Sequence, residues 1–199
     1  MYWDPLAEIF VRRGGSHAAL IAAGEYRLTR SSSDLSYLIA YRRDPDVWAR
    51  ALGELRRAVM ENPENGTAWR GLAQEYWASG PATAAQRLDA LTHAARLEAG
   101  SPTVGRVYAE QADALLQLGR LNEAKAAAQQ ALRLDGHLLL PYWVLALVAE
   151  GQGAWAEARD RLMELQRRLE PSDPRQGMIR GRLEAVEKRL GGGAVGRSP

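Results

Sequence analysis

Cysteine is absent from all 199 residues. That excludes disulfides, thiolate catalysis and zinc sites that need sulfur. Phenylalanine occurs once, while alanine and leucine dominate, which favours helix over sheet. Lysine is nearly missing: only Lys125 and Lys188 are lysine, and the remaining basic residues are arginine. A GC-rich coding sequence accounts for such a bias. The functional alternative is that arginine serves better at interfaces and on anions. Charge of one sign is not in excess, with 26 basic against 24 acidic side chains and a net charge of +2. No strong single-sign field surrounds such a chain.

Long apolar runs are lacking too. The longest, from His137 to Ala149, contains Pro141 and falls well short of the ~20 residues that span a bilayer. No basic start followed by a long apolar run marks a signal peptide. The expectation is a cytoplasmic protein without membrane insertion. The three histidines, His17, His93 and His137, have no histidine at i+3 or i+4, so no metal pair is visible. Gly14-Gly15 lacks the spacing and the Lys-Ser/Thr ending of a phosphate loop. Glu157, Asp160 and Glu164 alternate with Arg159, Arg161, Arg167 and Arg168 in the pattern of a solvated helix face. No catalytic residue, metal or cofactor is expected.

What the sequence does have is a recurring stripe. Trp69, Leu72, Ala73 and Tyr76 lie at i, i+3, i+4 and i+7 and share one helical face. Gly80 ends that helix and Pro81 can open the next. Trp3, Leu6, Ala7 and Phe10 repeat the spacing; Tyr108, Ala112 and Leu115, then Tyr142, Leu145, Ala146 and Ala149, repeat it again. Second helices follow, with Ala19, Ala23 and Tyr26; Ala51, Leu55 and Ala58; Ala84, Leu88, Leu91 and Ala95; Ala124, Ala128 and Ala131; and Ala158, Leu162 and Leu165 aligned. The first of these should run from Ser16 to about Arg30. The segment 34–65 is the least regular, with Leu35, Leu38, Ile39 and Tyr41 as the apolar side of a short helix. Ile179, Leu183, Val186 and Leu190 form a last helix whose other faces are charged.

The spacing W-x-x-L-A-x-x-Y, the turn G-R-L-N-E-A at residues 119–124 and the 34-residue step from Tyr108 to Tyr142 resemble the tetratricopeptide repeat, or TPR. The resemblance covers residues 1 to about 190. It implies an all-α fold, an α-α superhelix or TPR solenoid of about five helix-turn-helix repeats with a C-terminal capping helix. The repeats fall at about 1–33, 34–65, 66–101, 102–137 and 138–172, the cap at 173–190, and a disordered tail at 191–199. Eleven helices are expected. Trp69 and Tyr108 are 39 residues apart, so the second helix of the third repeat should be extended by about a turn.

The resemblance also implies where a partner would sit. If Trp69, Leu72 and Tyr76 face the partner helix, Arg70, Gln74 and Trp77 form the neighbouring stripe, which in that family lines the concave surface. Its counterparts are Asp4, Glu8 and Val11; Ser36, Ala40 and Arg43; Ala109, Asp113 and Leu116; and Trp143, Leu147 and Glu150. The candidate groove residues are therefore Arg43, Arg70, Gln74, Trp77, Asp113, Leu116, Trp143, Leu147 and Glu150. Trp77 and Trp143 are either groove anchors or packing residues. The basic set with which some relatives hold chaperone tails is absent.

Two functions fit. The first is a non-catalytic scaffold that binds a protein or peptide segment and supports assembly of a larger complex. The second is an RNA- or anion-binding repeat using Arg42-Arg43, Arg56-Arg57 and Arg167-Arg168, suggested by a pI near 9.1. Alternation with Glu and Asp argues against a continuous basic stripe. Self-association through the first helix, around Tyr2 and Trp3, is a third possibility.

Overall fold

The computed structural model describes residues 25–29 and 35–192. The expected helices around Trp3–Phe10 and Ala19–Ala23, the Asp34 cap, the stripe Asp4, Glu8 and Val11, and residues 193–199 of the expected tail lie outside these. Among the described residues every regular element is helical. The chain divides into two compact units at Thr103 and Val104, and each is described by itself.

The first unit holds α1 (Tyr37–Tyr41), α2 (Pro45–Glu61), α3 (Gly66–Ala78), a 3₁₀ turn (Pro81–Thr83) and α4 (Ala84–Leu97). Asp44 starts α2 by accepting the amides of Asp46 and Val47 at 3.0 Å, with Pro45 in the first turn where its missing N–H costs nothing. Asn65, fully buried, caps α3 by accepting the Ala68 amide at 2.9 Å. The apolar faces then close on one another. Ala51, Leu55 and Ala58 of α2, Leu72 and Ala73 of α3, and Ala84, Ala90, Leu91 and Ala94 of α4 are buried.

Three expectations are corrected in this unit. Ile39 is not on the apolar side of α1: it is exposed, while Leu38 is buried. Glu25–Thr29 is not helical. The Glu54 carboxylate takes the amides of Arg27, Leu28 and Thr29, each at 2.9 Å, which a continuing helix would have donated to its own carbonyls. Finally, α4 is not extended. It has 14 residues, the same as the later second helices Leu121–Leu134 and Trp155–Arg168. The extra residues of this repeat go into the 3₁₀ turn and the connection 98–103.

The second unit holds α5 (Val104–Gln117), α6 (Leu121–Leu134), α7 (Leu140–Gly151), α8 (Trp155–Arg168) and α9 (Arg175–Gly192). Each helix packs on its successor, and α5 also packs on α7. The two internal turns are copies of one another. Gly119 donates to the Leu116 carbonyl and Arg120 to that of Leu115; Gly153 donates to Glu150 and Ala154 to Ala149, all at 2.8–3.0 Å. Both glycines have positive φ, 72° and 73°, which an L side chain adopts only with strain. The 34-residue sequence period is thus a 34-residue period of turn hydrogen bonds.

The helix α9 closes the second unit's core. Its Ile179, Leu183 and Val186 are buried against Leu162, Leu165 and Leu169. Burying side chains of this size contributes about 1.5–3 kcal/mol each relative to leaving them in water. The helix continues through Gly191 and Gly192, two residues past the expected boundary of the cap.

Candidate functional site

In the first unit the predicted stripe of α3 is Arg70, Gln74 and Trp77. Arg70 is largely buried and spent internally: its Nη1 donates to Glu98 Oε2 and Thr103 Oγ1, both at 3.1 Å. Gln74 offers its backbone carbonyl to Arg42 Nη2 at 3.2 Å. Trp77 is 49% exposed.

The element that organises this end of α3 is Arg42. Its guanidinium carbon lies 5.1 Å from the Trp77 ring centre and 5.4 Å from that of Trp48 on α2. Contacts of this kind are worth roughly 0.5–1 kcal/mol each when exposed and more when water is excluded. The Arg42 Nε is buried with no hydrogen-bond partner among the described residues. Arg43 beside it is exposed. Trp48 carried no signal in the sequence. It sits outside every stripe, and it is linked to Trp77 only through Arg42, which lies against both rings.

Two residues before Trp77, and so on the opposite face of α3, Glu75 points into the seam with α2. It is 5% exposed, and its Oε1 accepts from Arg56 Nη2 at 2.8 Å. Burial pushes its carboxyl above the ordinary glutamate range, and Arg56 opposes that only in part. On the far side of α3, His93 of α4 stacks on Trp69 with ring centres 4.3 Å apart, while Trp69 Nε1 donates to the Pro63 carbonyl.

In the second unit Asp113 accepts from Gln117 at 3.2 Å, and Leu116 and Leu147 are half-buried. Trp143 packs against the core that α9 closes, and Arg182 of α9 lies over its ring at 5.6 Å. The same Arg182 grips Glu150 with both prongs, Nε to Oε1 at 2.8 Å and Nη2 to Oε2 at 2.9 Å. Two of the three residues of the stripe Trp143, Leu147 and Glu150 are therefore engaged by the last helix. Beside Trp143 lies a small apolar cleft of about 170 Å³, lined by Leu139, Leu140, Leu165, Met178 and Ile179.

The arginines named for an anion-binding surface are mostly neutralised. Arg56 pairs with Glu75, Arg57 with Glu61, and Arg167 and Arg168 both with Glu164. Several arginines also cover aromatic faces: Arg57 on Tyr26 at 4.1 Å, Arg168 on Tyr142 at 4.5 Å, and Arg189 on Trp155 at 5.8 Å. Among the described residues no cluster of three His, Asp or Glu side chains is arranged to hold a metal. None of their helices is long and apolar enough to cross a membrane.

No protein-family model and no curated protein matches the chain. Among solved structures, the crystal structure of a thermophilic TPR protein from Thermus thermophilus is similar, with a TM-score of 0.53 and 20% identity. The match covers 76% of this chain and 85% of that one. The fold is a tetratricopeptide-repeat fold.

Within that all-α, α-α superhelical TPR class, Ala73, Ala112 and Ala146 are the fully buried small residues of successive first helices. Their lack of bulk lets the second helix of each TPR unit cross closely. The nine candidate residues divide by their surroundings. Arg70, Trp143 and Glu150 are held by side chains of their own unit. Trp77, with Arg42 over its ring, carries the most exposed aromatic surface of the set. TPR proteins use one fold for many ligands, so the fold alone assigns none to this chain.

Proposed function

We propose that the protein is a non-catalytic TPR scaffold that binds a protein segment along its first-helix stripes and helps assemble a larger complex. The observation that carries this reading is Trp77. A tryptophan half-exposed on that stripe, stacked by an arginine and backed by a second tryptophan, has the composition of an interface anchor. A free surface gains nothing from presenting such a residue to water, whereas a bound segment would bury it.

Affinity capture from the source cell with the wild-type chain and with Trp77→Ala tests this. The wild type is expected to retain a protein that the variant loses, with the two chains melting alike. Identical capture by the two would overturn the assignment of Trp77 as the anchor.

A further inference from the structure

We infer that the segment bound beside Trp77 is acidic, with a carboxylate set against the Arg42–Arg43 pair and an apolar side chain on the Trp77 ring. This rests on the segment-binding reading above and adds the chemistry of the partner.

Most arginines described in the first unit have an acidic partner. Arg27, Arg56, Arg57, Arg70 and Arg96 each have a carboxylate in ion-pairing distance: Glu25, Glu75, Glu61, Glu98 and Glu64. Among the described residues, neither Arg42 nor Arg43 has one. Asp44, the nearest acid in sequence, is occupied in capping α2.

Arg42 is also the more constrained of the two. Two indole faces and the Gln74 carbonyl fix its guanidinium, and its Nε is withdrawn from water without an acceptor. A cation that is partly desolvated, held rigidly and without a counter-ion is underpaired, and an arriving carboxylate would meet a pre-positioned partner. Its fixed orientation lowers the ordering cost that a flexible arginine would add on binding. The half-exposed Trp77 ring adjoining it supplies the apolar part of the site.

A phosphate backbone is the less favoured anion. It would need a run of unpaired cations; the next arginine, Arg50, donates back to the Asp46 carbonyl of its own helix, and Arg56 and Arg57 after it already hold carboxylates.

The test uses fluorescein-labelled synthetic peptides with one central leucine and flanks that are acidic, neutral or basic, titrated against the full chain. The acidic set is expected to bind about tenfold tighter than the neutral set, equivalent to ~1.4 kcal/mol, and the basic set weakest. Arg43→Gln, a change at an exposed side chain, should narrow the acidic advantage about threefold. Arg42→Gln should abolish it, while Arg42→Lys should retain part of it. Acidic and neutral sets binding equally, with both lost in Trp77→Ala, would overturn the acidic partner and leave the segment-binding reading standing. Binding by none of the three sets would overturn both. A single-stranded RNA oligonucleotide that outcompetes the acidic set would overturn the inference in favour of phosphate.

Discussion

Arg182 and Glu150, 32 residues apart, form a two-pronged ion pair that ties the last helix to the first helix of the repeat before it. The Glu150 side chain is 16% exposed and that of Arg182 41%. This geometry predicts a measurable interaction where an ordinary surface pair gives almost none. A double-mutant cycle of Glu150→Ala and Arg182→Ala, read from urea unfolding, should return a coupling of about 1 kcal/mol. A coupling indistinguishable from zero would mean that Trp143 and the apolar seam hold α9 unaided.

Gly119→Ala and Gly181→Ala should move stability in opposite directions. Gly119 has a φ of 72°, so a methyl group there costs about 1–2 kcal/mol. Gly181 lies within α9, and a Cβ at that position would meet nothing within 4 Å. Alanine there should gain about 0.5–1 kcal/mol from helix propensity alone. Thermal melts of the two variants decide it, and a loss at Gly181 would show that its outer face is covered in solution.

Ala73 and Trp77 stand one turn apart on α3 and should respond oppositely. Ala73 is fully buried at the crossing with α4, so Ala73→Leu overpacks it and costs about 1–3 kcal/mol. Trp77 keeps half its surface in water, so Trp77→Ala should cost well under the roughly 3–5 kcal/mol of a core aromatic. Comparing their melting curves tests which face of α3 packs. A heavily destabilised Trp77→Ala beside a tolerated Ala73→Leu would reverse the assignment.

Glu75 gives stability a defined pH dependence. Its folded-state carboxyl titrates above the ordinary glutamate value because burial penalises the charge. Between the unfolded and folded values the folded state therefore binds more protons, and stability falls as pH rises through that window. Well below the ordinary glutamate value the penalty is absent, and above the raised value it is complete. Glu75→Gln should flatten the stability profile in this window when unfolding is followed by urea titration at successive pH values. A variant profile parallel to the wild type would show that another group governs the slope.

The sequence was most informative where one helical face decides burial. Leu72 with Ala73, Ala124 with Ala128, and Leu162 with Leu165 are each spaced for one stripe, and each is buried. The turn glycines were legible for the same local reason, since G-R-L-N-E-A needs a left-handed residue at its start. Hydrophobic spacing could not show where polar side chains would find partners. That Glu54 would unwind residues 27–29, that Arg182 would reach Glu150, or that Trp48 would lie beneath Arg42 depends on contacts between elements. The side chains of α9 illustrate the limit: Arg182, on one of its charged faces, reaches back to pair with Glu150. The extended helix expected from the 39-residue spacing failed because a repeat can absorb residues in its turns as easily as in its helices.

The copied turns at Gly119 and Gly153 have a kinetic consequence. In the second unit the ties between successive repeats, Lys125 to Glu157, Asn122 to Gln152, Gly136 to Arg168 and Glu150 to Arg182, each reach back only 30–32 residues. Chain segments of that length close their loops at small entropic cost, and topologies built from short-range contacts fold fast. Folding of this unit can therefore begin in either repeat and spread to the other across one seam. By the same logic, damage to one seam need not cross the next: a lost tie at Glu150 loosens α9 and leaves the α5–α6 pair to fold on its own turn.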